Sequence, residues 1–426
     1  MFAVMKAETP DVVPSTIRPI GYRNNSCGYC HGKTGSFSYY ASALSLELQF
    51  YEDLLNQGWR RSGTLLYKPD QRFSCCPQYT IRLDSESFHA SRDQRQALNR
   101  FSKYITGDVY TKEAVRLYPK SKQEAKKRDA KFDLVERVHE CEKHLLRSPP
   151  EPARKFSVTL EPDSYTDEKF ELYANYQRTV HKDPPNLISK QSFQRFLCSS
   201  PLPRSKVSSD GREKHLGSYH QCYRIDGELV AFGVLDLLPQ CVSAVYFVYD
   251  ESVNRLSFGK VGALREVALA KEYGYRWWYA GFYIHSCIKM KYKGDYSPQH
   301  MLDPESYGWD LLDQHMKQRL DEHKYVSMSS NTSSSGDKEE DCIVPNPDLP
   351  IFLRGVPGVL TKEQILAEVD LDGIRIKIFD QEAEACDLIT WREDDMDSVK
   401  TLKGSIAELV ATVGSDLAAE MVVALN

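Results

Sequence analysis

The stretch SYHQCYRIDGELVAFGVLDLLPQCVSAVYFVYD, residues 218–250, constrains the fold more tightly than any other. Its runs of β-branched and aromatic residues, the Asp226-Gly227 turn and the break at Pro239 predict three consecutive strands. SFGKVGALREVALAKEYGY follows as a helix entered through glycines, and RWWYAGFYI follows that as an aromatic strand. A meander, then a helix, then a further strand calls for a mixed sheet in an α/β (α+β) fold.

The flanking sequence supplies more elements. SYYASALSLELQFYEDLLNQGWRRSG predicts a helix with apolar positions Leu44, Leu48, Tyr51, Leu54 and Leu55, ended by Gly58. GTLLYKP and QYTIRLD predict strands, QALNRFSKYITG a helix, and SKQEAKKRDAKFDLVERVHECEKHLLR a long charged helix or connector. The breaker SPPEP marks a domain boundary near residue 150. KFSVTLEP is a strand, DEKFELYANYQRTVHKD and SKQSFQRFLCSS are helices, and PRSKVSSDGREKH is expected to lack fixed structure. The organisation expected is a cysteine-rich N-terminal domain over 1–150, a transfer domain over 151–325, a low-complexity linker over 326–350 and an acidic segment over 351–426. That last segment is either a small α/β appendage or loosely ordered.

Two cysteine pairs stand out. Cys27 and Cys30 have C-x-x-C spacing in SCGYCHGKTG, and Cys75-Cys76 lie in RFSCCPQY; these are the only cysteines in the first 140 residues. A closed tetrahedral metal site needs four donors, and these thiols supply four. Adjacent cysteines suit an iron–sulfur cluster better than a simple zinc knuckle, because its larger volume tolerates varied sulfur positions. Free structural or redox thiols, and covalent haem attachment through CGYCH, are the other readings of the same residues. His31 reads as a turn residue or outer-shell donor. The remaining seven cysteines are scattered singly and read as small core residues.

Composition excludes little but locates charge. No apolar run has the length of a signal peptide or a membrane span, so a location in the cytoplasm or also the nucleus, with reduced thiols, is expected. Residues 1–150 carry 24 Lys and Arg against 17 Asp and Glu, 151–330 carry 23 of each, and 331–426 carry 8 against 20. An anionic polymer would meet the first two-thirds and be repelled by the tail, although an acidic tail can also simply solubilise a protein.

The meander, glycine-entered helix and next strand are similar to the core of acyl-CoA N-acyltransferases (the GNAT-like fold), in which helix-start N–H groups receive a pyrophosphate. SFGKVGALRE offers such an anion site beside Lys260 and Arg265; the alternative is a glycine that merely permits close helix packing. Lys289, Lys291 and Lys293 alternate after the aromatic strand and, on extended backbone, would share one face.

CGYCHG, RRSGTLLYKPD, CCPQYTIRLD, VLDLLPQCVSAVYFVYD, LSFGKVGALREVALAKE and YAGFYIHSCIKMKYKGDYSP together closely resemble the eukaryotic arginyl-tRNA–protein transferase family, in six ordered blocks from about residue 20 to 310. The resemblance implies transfer of arginine from arginyl-tRNA to the N-terminal amine of proteins beginning with Asp, Glu or oxidised Cys, which marks them for ubiquitin-dependent degradation. It implies an iron–sulfur cluster on Cys27, Cys30, Cys75 and Cys76, with zinc as the alternative, and no CoA. A monomer with no membrane partner is expected.

That chemistry assigns candidate roles. Lys289, Lys291, Arg265 and Arg82 are cations for the acceptor's carboxylate. Asp236, Glu266, Tyr246 and Tyr283 are acids and aromatics for the arginyl guanidinium, with Asp236 also a proton acceptor and His285 a possible acid or base. The basic run Lys120, Lys122, Lys126, Lys127, Arg128 and Lys131, together with Lys260, would hold tRNA phosphates, and the acidic tail would screen that surface. A CoA-dependent N-acetyltransferase and a non-enzymatic zinc-knuckle tRNA-binding adaptor are the competing readings.

Overall fold

Period-two burial organises the N-terminal third. In the computed structural model, which describes residues 13–119, 121–123, 132–209, 212–329, 346 and 348–425, two mixed sheets carry the fold. The first contains β1 (Thr16–Asn25), β2 (Ser36–Ser45), β3 (Arg60–Ser62) and β4 (Leu65–Pro69). It also contains β14 (Arg375–Ile378), β15 (Gln381–Glu384) and β16 (Val422–Ala424), in the order β15-β14-β16-β1-β2-β4-β3. The predicted helix therefore begins later than its apolar spacing suggested. Tyr39, Ala41 and Ala43 are buried at strand spacing between β1 and β4, and only after Glu47, whose carboxylate accepts from the Phe50 N–H, does the helix Leu48–Asn56 start.

The second sheet holds β5 (Tyr79–Asp84), β6 (Phe156–Pro162), β8 (Arg212–Ile225), β9 (Glu228–Leu237), β10 (Cys241–Tyr249), β11 (Trp277–Tyr283), β12 (His300–Leu302) and β13 (Trp309–Leu311). Its order is β13-β12-β5-β11-β10-β9-β8-β6, and β7 (Ser205–Ser209) forms a hairpin onto β8. The stretch 203–215, expected to be unstructured, is thus mostly strand; Lys206 pairs with Glu213 at 2.6 Å across the hairpin. The three-strand meander is β8–β10, and β11 returns parallel to β10 through the helix Phe258–Tyr273, the order the sequence called for.

That helix lies on β10 and β11 and buries Val261, Leu264, Val267 and Ala268. Gly262 earns its place by contact: a Cβ there would sit 2.3 Å from the Phe247 ring. Close helix–sheet packing therefore accounts for this glycine. Within the predicted 121–147 helix, Leu134–His139 is helical, whereas 124–131 lie outside the described residues.

The sheets cut across the boundaries read from the linkers. β5, from before residue 150, sits centrally in the second sheet beside β11. The acidic tail is no separate appendage: β16 pairs parallel to β1, and the buried helix Leu402–Val413 covers the first sheet. Trp59 Nε1 donates to the Thr412 carbonyl at 3.2 Å, and so does buried Lys68 Nζ at 3.0 Å. Burial pushes the Lys68 ammonium down to about 7.

One ion pair joins the sheets. Arg61 on β3 donates through Nε and Nη2 to the Asp236 carboxylate on β9, at 2.8 and 2.5 Å, with side chains 2% and 0% exposed. Ser218 Oγ and the Gly63 carbonyl complete the guanidinium's shell. Arg61→Ala would strand a buried carboxylate and is expected to cost about 3–5 kcal/mol in denaturant unfolding. Deletion of 327–426 removes β14–β16 and bares the edge of β1. That truncation is expected to aggregate or to melt well below the full chain in differential scanning calorimetry, rather than to yield a soluble protein with improved tRNA binding.

Candidate active site and metal centre

Two turns bring the cysteines together. The Cys27 N–H donates to the Gly32 carbonyl at 2.9 Å and the His31 N–H to the Cys27 carbonyl at 3.0 Å, closing the first turn. The Cys75 N–H donates to the Gly35 carbonyl at 2.7 Å and locks the second turn against it. The four sulfurs lie within 4.8 Å of one another, with Cys30 and Cys75 Sγ 3.5 Å apart. Cys27 and Cys76 are buried and Cys30 is exposed. The Gly32 backbone N–H, then the neighbouring thiols, pull Cys30 down to about 7, whereas burial raises Cys75 to about 12 and Cys76 to about 11. Four convergent thiols are a donor set for a metal ion. His31, exposed and at a positive φ of 59°, is a turn residue outside that set.

The thiols pack onto the second sheet. Cys27 and Cys76 contact Phe282 and Ile284 at the end of β11, with Tyr29, Tyr67, Cys287 and Met290 around them. The same strand end opens the sheet. β10 and β11 pair only over Cys241–Ser243 and Trp277–Tyr279. Bulges at Ala244/Tyr246 and Tyr279/Gly281 then turn the two strands apart, while each keeps its other neighbour. Backbone groups of both strands face this opening.

Beside it the structure assembles a polar chain. Tyr283 Oη and His285 Nδ1 are 2.6 Å apart, His285 Nε2 is 2.7 Å from Asp321 Oδ1, and Lys291 Nζ is 3.2 Å from His285 Nε2. The hydrogen bond from His285 holds Asp321 below the usual carboxylate range. Three expected site residues thus meet one that the sequence did not flag, because Asp321 arrives from the helix Gln314–Glu322 far along the chain. Lys289 and Lys291 are exposed on a short helix, Ile288–Lys291, so the expected extended one-face arrangement of the three lysines does not occur.

Most of the other expected site residues are engaged within the protein. Asp236 cannot greet a substrate guanidinium, because it is fully buried and gripped by Arg61. Arg265 is likewise closed off: it donates to the Val138 carbonyl at 2.7 Å and pairs with Glu142. Glu266 lies 3% exposed under the sheet and accepts from Trp278 Nε1 at 2.9 Å; burial pushes it up to about 7. Arg82 is sandwiched between Trp277 and Trp309, its guanidinium carbon 3.8 Å from each ring, and Nη1 donates to Asn56 and Tyr279. Tyr246 sits among Tyr176, Phe196 and His181, its hydroxyl 3.1 Å from Gln177 Oε1 and from His181 Nε2. Lys260 pairs with Asp93 at the start of its helix. Lys126, Lys127 and Arg128 lie outside the described residues.

Comparison with known proteins covers both halves of this arrangement. Residues 25–96, which carry all four thiols, match the family model described as arginine-tRNA-protein transferase, N terminus. Residues 168–303, which carry the meander and the opening, match the model for its C terminus. Arginyl-tRNA–protein transferase 1 of Drosophila melanogaster is 28% identical over 75% of this chain and 87% of its own length. The Saccharomyces cerevisiae protein of the same name is 30% identical over 64% of this chain and 58% of its own length. A Pseudomonas fluorescens protein named aspartate/glutamate leucyltransferase is 27% identical over 65% of this chain and 90% of its own length. With both terminal models matched in order and relatives aligned over most of the chain, this protein is similar to the arginyl-tRNA–protein transferase family in both its N-terminal and its C-terminal parts.

Proposed function

We propose that this chain transfers arginine from arginyl-tRNA to the N-terminal amine of proteins that begin with Asp, Glu or oxidised Cys, in the cytoplasm or nucleus, and so marks them for ubiquitin-dependent degradation. The observation that carries the reading is the matching of both family models around one opening in the second sheet. No helix among the described residues is long and apolar enough to cross a membrane.

The reaction asks little of a nucleophile on the protein. An aminoacyl ester is already activated, and a free α-amine titrates near about 7.7–8.0, so much of it is neutral at physiological pH. Alignment and oxyanion stabilisation then dominate. The opened strands offer backbone N–H groups for the ester carbonyl. Tyr283, His285 and Asp321 form a hydrogen-bonded relay that can accept the amine's proton. The tRNA is held through phosphates, by the basic run Lys120–Lys131 and the exposed Lys289 and Lys291.

The four thiolates fit an inorganic centre. A single tetrahedral ion bound by thiolates at about 2.3 Å spaces the sulfurs about 3.8 Å apart, close to the separations present here. The family resemblance points instead to an iron–sulfur cluster, whose added atoms would spread the thiolates wider. In either case the centre rigidifies the turns that support Phe282 and Ile284, and hence the end of β11.

Three measurements test this reading. Labelled arginyl-tRNA incubated with peptides beginning Asp, Glu, Ala or Lys is expected to label the acidic pair alone; labelling from acetyl-CoA, or tRNA binding without transfer, would overturn it in favour of an acetyltransferase or an adaptor. His285→Asn is expected to slow transfer by about 10²-fold with peptide KM little changed. Elemental analysis and visible absorption of anaerobically purified protein should find metal bound through the four thiols, with or without sulfide. Cys75→Ser should lose that metal and lower Tm, and undiminished metal in this variant would remove the assignment.

A further inference from the structure

The two arginines of the RRSG stretch meet opposite fates. Arg61 turns its Nε/Nη2 edge onto the Asp236 carboxylate as a parallel pair of hydrogen bonds. Arg60, next to it on β3, is 6% exposed and uses only Nη1, donating to the Trp59 carbonyl at 2.7 Å and the Leu55 carbonyl at 3.5 Å. Its Nε and Nη2, the same edge that Arg61 uses, are buried and find no partner among the described residues. The guanidinium lies over the rings of Tyr279 and Phe282, 5.7 and 5.3 Å from their centres, at the residues where β11 leaves β10.

A second cation reaches the same place. Lys293 brings its ammonium against Gly281, where a Cβ would stand 3.3 Å from Nζ and 3.6 Å from the Ala244 carbonyl of β10. Gly281, at a φ of +83°, both makes the bulge and leaves room for the ammonium between the diverging strands. Lys293 forms no ion pair among the described residues; burial, with Arg60 nearby, lowers it to about 8 against the opposing pull of Glu266. Glu266 draws on this half-buried ammonium without closing an ion pair, and an incompletely neutralised cation is one that a ligand's charge can complete.

We propose that Arg60 and Lys293 form the socket for the side-chain carboxylate of the acceptor's acidic N-terminal residue, with the Nε/Nη2 edge of Arg60 gripping it side-on as Arg61 grips Asp236. This inference rests on the proposed transfer reaction and specifies the group that makes it selective. The planar fork matches two carboxylate oxygens, and Lys293 adds a point charge from the other side of the opening. Of the expected cations, Arg265 is paired with Glu142 and Arg82 is stacked between two tryptophans, each with only its buried Nε unpartnered, whereas Arg60 leaves the whole Nε/Nη2 edge without a partner among the described residues. Selectivity against the neutral amide follows, because an amide nitrogen would leave one donor of the fork facing another donor.

The test uses the full chain, arginyl-tRNA, and peptides that begin Asp or Asn. Wild-type protein is expected to prefer Asp over Asn by at least 100-fold in kcat/KM. Arg60→Gln and Lys293→Met are each expected to cut that preference at least tenfold, mainly through peptide KM, with arginyl-tRNA affinity within twofold of wild type. Because neither cation is held in an ion pair among the described residues, and Lys293 is only half-buried, Tm should hold or rise. Should Arg60→Gln fail to fold, Lys293→Met carries the test alone. Undiminished Asp preference in folded variants would overturn the socket, as would a loss confined to tRNA affinity, which would assign these cations to a phosphate. A fall in Tm with equal losses on both peptides would overturn it too, in favour of a structural role. Wild-type protein that transfers to neither peptide would instead refute the transfer reaction itself.

Discussion

The buried Arg61–Asp236 pair is the constraint around which the two sheets are arranged. β3 belongs to the first sheet and β9 to the second, and the guanidinium that spans them is withdrawn from water with its carboxylate. Such a pair gives little net stability against a well-packed apolar substitute, yet breaking it on one side is severe. Its value is positional. Once Arg61 is fixed, the preceding residue of β3 must point to the other face, and that places Arg60 over Tyr279 and Phe282 where the second sheet divides.

The division itself is a backbone device. Two bulges on facing strands end the parallel pairing after three residues a side, and the helix Phe258–Tyr273 supports both strands from one face. From the other direction the cysteine turns press on Phe282 and Ile284. The four-cysteine site is therefore built against the wall of the opening rather than at a distance. An ion bound there would brace two turns otherwise held by only a few backbone hydrogen bonds, and with them the wall of the opening that they support.

Much of this was legible in the chain. The meander, the crossover helix and β11 follow from hydrophobic runs and turn residues, and the four-thiol set follows from cysteine spacing alone. Local period misled where two elements abut: SYYASALS carries apolar residues at both strand and helix spacing, and pairing on both edges decided for β2. The polar loop near 205 became a hairpin because β8 extends far enough to template it. Asp236 at a strand end has the local sequence of a reactive acid, because nothing near it in the chain reveals its partner Arg61, 175 residues away.

Residue types and their order determined that this chain carries a four-cysteine donor set and a meander-based core, since hydrophobic period, turn chemistry and ligand count are local properties. Which charges remain for chemistry was decided only by the tertiary structure. A cation's availability depends on what long-range packing sets against it: Glu142 against Arg265, two tryptophans against Arg82, Asp236 against Arg61, and, among the described residues, no such partner against the outer edge of Arg60.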